Sequence, residues 1–124
     1  MVRALNTVLI VDDDLPVRTA LKELFETEGY AVALAANGRA ALNHLRKGLR
    51  PSVILLDLMM PVMDGWDFRH EQLADPDARN IPVVILTAAG FSPETVRAQF
   101  GDVPFVAKPP LHTGLLDTVK RLCP

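Results

Sequence analysis

Val53-Ile54-Leu55-Leu56-Asp57-Leu58-Met59-Met60-Pro61-Val62-Met63-Asp64-Gly65 is the stretch on which the reading of this chain turns. An unbroken apolar run ends in a carboxylate. Such a run suits a strand buried on both faces, as strands of parallel sheets are. A carboxylate directly after a buried strand is poorly placed for stability and well placed for chemistry. Asp64-Gly65 then shapes a turn into the next helix.

Working outward, three more runs have the same form. Val8-Leu9-Ile10-Val11 delivers Asp12-Asp13, Val83-Val84-Ile85-Leu86 delivers Thr87, and Phe105-Val106-Ala107 delivers Lys108-Pro109. Tyr30 to Ala35 reads as a further strand, with Val32 and Leu34 on one face and alanines on the other, the pattern of an edge member.

Helical stretches separate the strands. The first follows the acidic triplet, takes Pro16 in its opening turn, carries a stripe of Val17, Leu21, Leu24 and Phe25, and ends at Gly29. The second starts after Asn37-Gly38, carries Ala41, Leu42 and Leu45, and stops at Gly48. The third runs from about Gly65-Trp66 to Asp75-Pro76. The fourth opens with Ser92 as cap and Pro93 as first residue, but offers only Val96 and Phe100 as anchors. The last spans about Leu111 to Leu122, with Leu115, Leu116, Val119 and Leu122 on one side.

A βα unit repeated five times implies an α/β fold, a doubly wound parallel sheet with helices on both faces. Right-handed crossovers leave few topologies. In the order 2-1-3-4-5 the strands that end in Asp12-Asp13, Asp57, Thr87 and Lys108 stand side by side. Their carboxyl ends then form one rim, where such sheets place ligands.

Composition bounds the possibilities. The chain has 124 residues, 49% of them hydrophobic, enough for one core and one domain over 1–124. Thirteen Lys+Arg against 15 Asp+Glu give a net charge of −2, which argues against a general nucleic-acid surface. No apolar run is long enough to span a membrane, and no signal-peptide core precedes the first strand. With one cysteine, Cys123, no internal disulfide can form, and a cytoplasmic protein is the simplest expectation. Cys123 itself reads as an incidental surface or end-of-helix thiol.

Asp12, Asp13 and Asp57 repel one another if they converge. A hard divalent cation resolves the conflict, and magnesium fits best, because it takes oxygen ligands and needs few carboxylates when a phosphate is also present. Phosphoryl transfer asks for an in-line nucleophile and for stabilised equatorial oxygens. Asp57 is the candidate nucleophile. Lys108 offers a point charge and Thr87 a hydroxyl donor to the phosphoryl oxygens.

These motifs together resemble the receiver domain of two-component response regulators, in particular its single-domain chemotaxis-type members. They are the acidic pair at 12–13, Asp-x-x-Met-Pro-x-x-Asp-Gly at 57–65, Thr-Ala at 87–88 and Lys-Pro at 108–109. The likeness runs from about Val8 to Leu122. Members of that family are themselves a standard example of the 2-1-3-4-5 order, so the topology is not independent of the resemblance.

The resemblance implies a flavodoxin-like (βα)5 fold and a role for each matching residue. Asp57 would accept a phosphoryl group from a sensor histidine kinase or a histidine phosphotransfer protein. Asp13 and Asp57 would bind magnesium directly, with the backbone carbonyl of Met59, and Asp12 would bind it mainly through water. Thr87 and Lys108 would rearrange around the aspartyl phosphate. Phe105 would be the aromatic switch residue, and the Lys108-Pro109 bond would be cis. The output would be an unknown protein partner or onward phosphate relay, without nucleic acid or membrane, from a monomer or a phosphorylation-dependent dimer. The only reactions catalysed would be the chain's own phosphorylation and dephosphorylation. Pro110, which doubles the proline, and Gly90, which follows Ala88-Ala89, depart from the commonest pattern.

Duller roles exist for the same residues. Asp14 reads as part of an acidic helix start rather than of the site. Trp66 reads as partly buried packing at a helix start. His44, His70 and His112 show no metal-ligand spacing and read as surface residues. No Gly-rich nucleotide loop occurs. The competing function is a small magnesium-dependent phosphatase or phosphotransferase acting on an external substrate through Asp57, for which the chain offers no lid insertion.

Overall fold

Alternate residues of each central strand are buried on opposite sides of one sheet, which is why these strands read as continuous apolar runs. The computed structural model describes residues 6–87, 92–107 and 113–123. Its elements are β1 (Thr7–Val11), α1 (Leu15–Thr27), β2 (Ala31–Ala35), α2 (Gly38–Arg46), β3 (Val53–Asp57), α3 (Gly65–Ala74), β4 (Val83–Thr87), α4 (Pro93–Phe100), β5 (Phe105–Ala107) and α5 (Thr113–Leu122). All strand pairs are parallel, and the order is β2-β1-β3-β4-β5, as the sequence implies.

On one face Leu9, Val11, Ile54, Leu56 and Ile85 meet Ala41, Leu42 and Leu45 of α2, Phe68 of α3, and Val96 and Phe100 of α4. On the other, Val8, Ile10, Val53, Leu55, Val84 and Leu86 meet Leu21 and Phe25 of α1 and Leu115 and Val119 of α5. Each large side chain buried in these layers contributes roughly 1.5–3 kcal/mol of transfer free energy.

The helix starts are fixed by side-chain caps, each worth about 1 kcal/mol. Asp14 Oδ1 accepts from Val17 N at 3.3 Å, Asn37 Oδ1 from Ala40 N at 2.9 Å, Asp64 Oδ1 from Asp67 N at 2.9 Å, and Ser92 Oγ from Thr95 N at 3.2 Å. Asp14 is therefore a helix cap, and Asp64 shapes the entry to α3, as expected. Gly29, with φ of 93°, closes α1 in a conformation that side-chain-bearing residues avoid.

Three expectations change. Tyr30 lies outside β2: its N–H closes the end of α1 on Phe25 O at 3.0 Å, and its ring packs edge-on against Phe25 at 5.6 Å. Cys123 is buried, only 6% exposed, in the α1/α5 layer rather than being a surface thiol. Burial pushes that thiol above its ordinary pKa. His44 is half-buried, with Nε2 2.9 Å from Leu34 O. Odd-numbered residues of β2 bond to β1, so this carbonyl lies on the free edge of the sheet. The histidine thus covers part of an edge that would otherwise template strand addition.

Trp66 is half-buried and packs on Phe100 with ring centroids 5.0 Å apart, in keeping with its expected packing role. Among the described residues, no helix is long and apolar enough to cross a membrane.

Candidate functional site

The register of the sheet assembles the acidic residues. Val11 pairs with Leu56, so the next residues, Asp12 and Asp57, leave neighbouring strands at the same level. One carboxylate oxygen each from Asp12, Asp13 and Asp57 lies within 4.8 Å of the others. Asp12 is fully buried and Asp57 is 5% exposed, whereas Asp13 is exposed. The cluster therefore opens to solvent on the side of Asp13.

Backbone groups hold these carboxylates in place. Asp14 N donates to Asp12 Oδ1 at 2.9 Å, and Asp12 N donates to Ala35 O at 3.0 Å. Arg18 of α1 reaches back, and its Nη1 donates to the Asp12 carbonyl at 2.7 Å. Met59 N lies 3.4 Å from Asp57 Oδ1, a long contact that places the start of the following loop against the carboxylate.

Oxygen is the only donor type in the cluster, which suits a hard cation and not a thiolate- or imidazole-seeking one. Three carboxylate oxygens this close, two of them on buried residues, form a concentrated negative site that attracts a cation. The donor set thus fits a magnesium-sized ion.

The other half of the rim follows from β4 and β5. Asp57 pairs with Leu86, so Thr87 is the next residue along the adjacent strand, and Thr87 in turn pairs with Ala107. The backbone of Thr87 therefore sits beside the acidic cluster. Lys108, Pro109 and Pro110 lie outside the described residues, as do Ala88, Ala89 and Gly90. Phe105 is 38% exposed at the start of β5.

The loop after Asp57 is tightly shaped. Met63 N donates to Pro61 O at 2.8 Å, a three-residue turn centred on Val62, whose φ is 69°. This turn is rare and strained, more so for a β-branched residue. Glycines clamp the loop on two sides. Gly65 N donates to Leu58 O at 2.9 Å, and a Cβ on Gly65 would lie 2.9 Å from the Leu58 Cα and clash with the Asp57 carbonyl oxygen. Gly38 N donates to Met63 O at 2.8 Å.

Sequence reasoning did not find Arg18, Gly38 or Val62. Arg18 stands one turn into a helix, where a basic residue is ordinarily solvated. Asn37-Gly38 reads as a helix start, which it is, and nothing local signals its contact with Met63. A positive φ at valine has no signature in sequence.

The matches to known proteins agree with this geometry. The family model for the response regulator receiver domain covers residues 8–120. This chain belongs to that family. It is 37% identical over 119 residues to sporulation initiation phosphotransferase F of Bacillus subtilis, across 94% of this chain and 93% of that protein. It is 35% identical over 105 residues to response regulator Rre1 of Synechocystis, across 83% of this chain but 45% of that protein. In structure it resembles the chemotaxis protein CheY4 of Vibrio cholerae, with a TM-score of 0.85 and 33% identity over 96% of this chain and 99% of that one. The chain thus spans less than half the length of curated relatives such as Rre1, and nearly the whole of others. It is a receiver of two-component signalling.

Proposed function

We propose that this receiver is a phosphorylation-controlled switch in which Asp57 accepts a phosphoryl group. The observation that carries this reading is the convergence of Asp12, Asp13 and Asp57 oxygens within 4.8 Å at adjoining strand ends. The donor is a phosphohistidine of a sensor histidine kinase or a histidine phosphotransfer protein. An Asp57 carboxylate oxygen attacks phosphorus in line. The phosphorus–nitrogen bond breaks, and the leaving imidazole takes up a proton.

Asp13, Asp57 and the Met59 backbone carbonyl would hold magnesium directly and Asp12 would hold it through water, supplying positive charge against the phosphoryl oxygens. The protein's own groups do the rest. The Asp14 amide keeps Asp12 turned toward the cluster. The near-complete burial of Asp57 limits its reach to a donor presented from the rim. Thr87 supplies a hydroxyl and Lys108 an ammonium to the phosphoryl oxygens, and Phe105 turns inward as Thr87 moves. The 38% exposure of Phe105 supports an outward resting position for this switch.

The chain then acts as one domain over 1–124. It catalyses only its own phosphorylation and dephosphorylation, as a cytoplasmic protein, and works through a partner protein or onward relay. The name of the Bacillus relative, a phosphotransferase, supports relay. The test is intact-mass analysis after incubation with acetyl phosphate and magnesium. One phosphoryl adduct is expected, absent with EDTA and absent from Asp57→Asn. Equal labelling of that variant, or many turnovers on a phosphoester, contradicts the proposal.

A further inference from the structure

Gly38 opens α2, yet it touches the loop that leaves Asp57. Its N–H donates to Met63 O at 2.8 Å. A Cβ built on it would lie 2.8 Å from Met63 Cγ, 2.9 Å from Met63 O and 3.1 Å from Asp64 O. Gly38 is not among the residues with positive φ, so glycine is not required there for backbone conformation. Glycine is required for close approach: a side chain at 38 would push α2 and the loop apart.

The loop it presses on stores strain. Val62 holds φ at 69°, although it is 81% exposed and gains little from burial. Conformations of this kind persist only where the surroundings over-determine them. Here the surroundings are Gly38 against Met63 on one side and Gly65 against Leu58 on the other. Between these two clamps runs the segment that starts at Met59, whose amide sits 3.4 Å from Asp57 Oδ1.

We propose that Gly38 is a positioning residue for phosphoryl acceptance: by letting α2 press on Met63, it holds the strained turn at Val62 and so fixes the Met59 backbone beside Asp57. The inference rests on the reading of Asp57 as acceptor. Gly38 touches neither the acidic cluster nor a donor, so its influence passes through residues 59–63. Displacements near 1 Å at a reacting centre lower rates by up to about a hundredfold. For Gly38→Ala we expect roughly a tenfold loss.

The experiment compares the full chain with Gly38→Ala, Met63→Ala and the double variant. Three readouts are taken: amide chemical shifts of 57–65 without metal, magnesium affinity by Trp66 fluorescence, and the rate of labelling by acetyl phosphate. Trp66 reports on the site because it follows Gly65, which packs on the Asp57 carbonyl. Gly38→Ala should shift the 59–63 amides in metal-free protein, and should weaken magnesium binding and slow labelling by about tenfold. In the double variant the clash with Met63 Cγ is gone and only the backbone approaches to Met63 O and Asp64 O remain, so the loss should be smaller than in Gly38→Ala without vanishing, a non-additive result. Should Gly38→Ala not fold, Met63→Ala loosens the clamp from the other side and should move the same amides.

Unmoved 59–63 amides in either folded variant would overturn the proposal, as would additive losses across the cycle. Failure of the unmutated protein to bind magnesium or take label would instead defeat the reading of Asp57, while the amide shifts would still decide whether Gly38 positions the loop.

Discussion

All five residues of β3 are buried, whereas β5 is three residues long and leaves Phe105 38% exposed. β4 is as deeply buried as β1, with Val83 to Leu86 at most 2% exposed, so the contrast between the two halves of the rim rests on β5. On the β1–β3 side, four of the five residues of β1 are fully buried, and the loop after Asp57 is clamped by Gly38 and Gly65. Arg18 and the Asp14 amide fasten Asp12. On the β4–β5 side, α4 buries Val96 and Phe100 among its described side chains and packs on α3 through the Trp66–Phe100 contact. On the proposed reading, the difference is a division of labour. Accepting a phosphoryl group needs preset geometry, and close packing holds it. Reporting that event needs a segment with two arrangements of similar free energy, and thin packing permits that.

Substitutions can break this comparison. The largest effect is expected for Phe68→Ala, which empties a fully buried ring beneath the clamped side. It should cost about 4 kcal/mol in urea unfolding. A cost near that of a surface change would mean the β1–β3 side is not tightly packed.

Gln72 comes next. It is fully buried on α3, and its Nε2 donates to Ala78 O at 3.0 Å and Ile81 O at 3.1 Å. Its Oε1 accepts from Arg69 Nη1 at 2.9 Å. Gln72→Ala leaves two carbonyls without these donors, and a loss of roughly 2 kcal/mol is expected. Phe105→Ala, on the thin side, should cost less than about 1 kcal/mol in the unphosphorylated protein. A cost comparable to that of Phe68→Ala would erase the contrast between the halves.

The smallest effect concerns pH. Burial raises the Cys123 thiol, and burial, with the nearby Cys123 thiolate adding to it, raises the Tyr30 hydroxyl. Both groups lose their protons in the unfolded chain at lower pH than in the folded one. Their contribution is therefore fully present below the unfolded thiol's range and drains away as pH rises through the folded values. Unfolding midpoints should fall above about pH 8.5, and Cys123→Ala should flatten that fall. An unchanged slope in Cys123→Ala would remove the thiol from the effect.

Much of this was legible in the sequence. The central strands announced themselves because both faces of the sheet are covered, so every position had to be apolar. Ser92 was readable as a cap, and Asp14, Asn37 and Asp64 as helix starts or turn residues, although apolar spacing was plain only for α1, α2 and α5. Asp12, Asp13 and Asp57 were legible because strand ends in a parallel sheet share one rim. What stayed hidden depends on contacts between distant segments. Gly38 meets Met63 across 24 intervening residues, and Gln72 serves carbonyls that no pattern marks. Cys123 looked terminal, yet α5 carries it back against β1. The torsion at Val62 is a property of the closed loop and not of valine.

The central claim is that a preset acidic site on one half of the rim drives rearrangement of the other half. The most direct measurement is the amide spectrum of the protein with magnesium before and after addition of beryllofluoride, a non-hydrolysing phosphoryl mimic. The account predicts large shifts at Thr87, along α4 and at Phe105, and small ones in β1 and α1. Shifts confined to 57–65, with Phe105 and α4 unmoved, would contradict it.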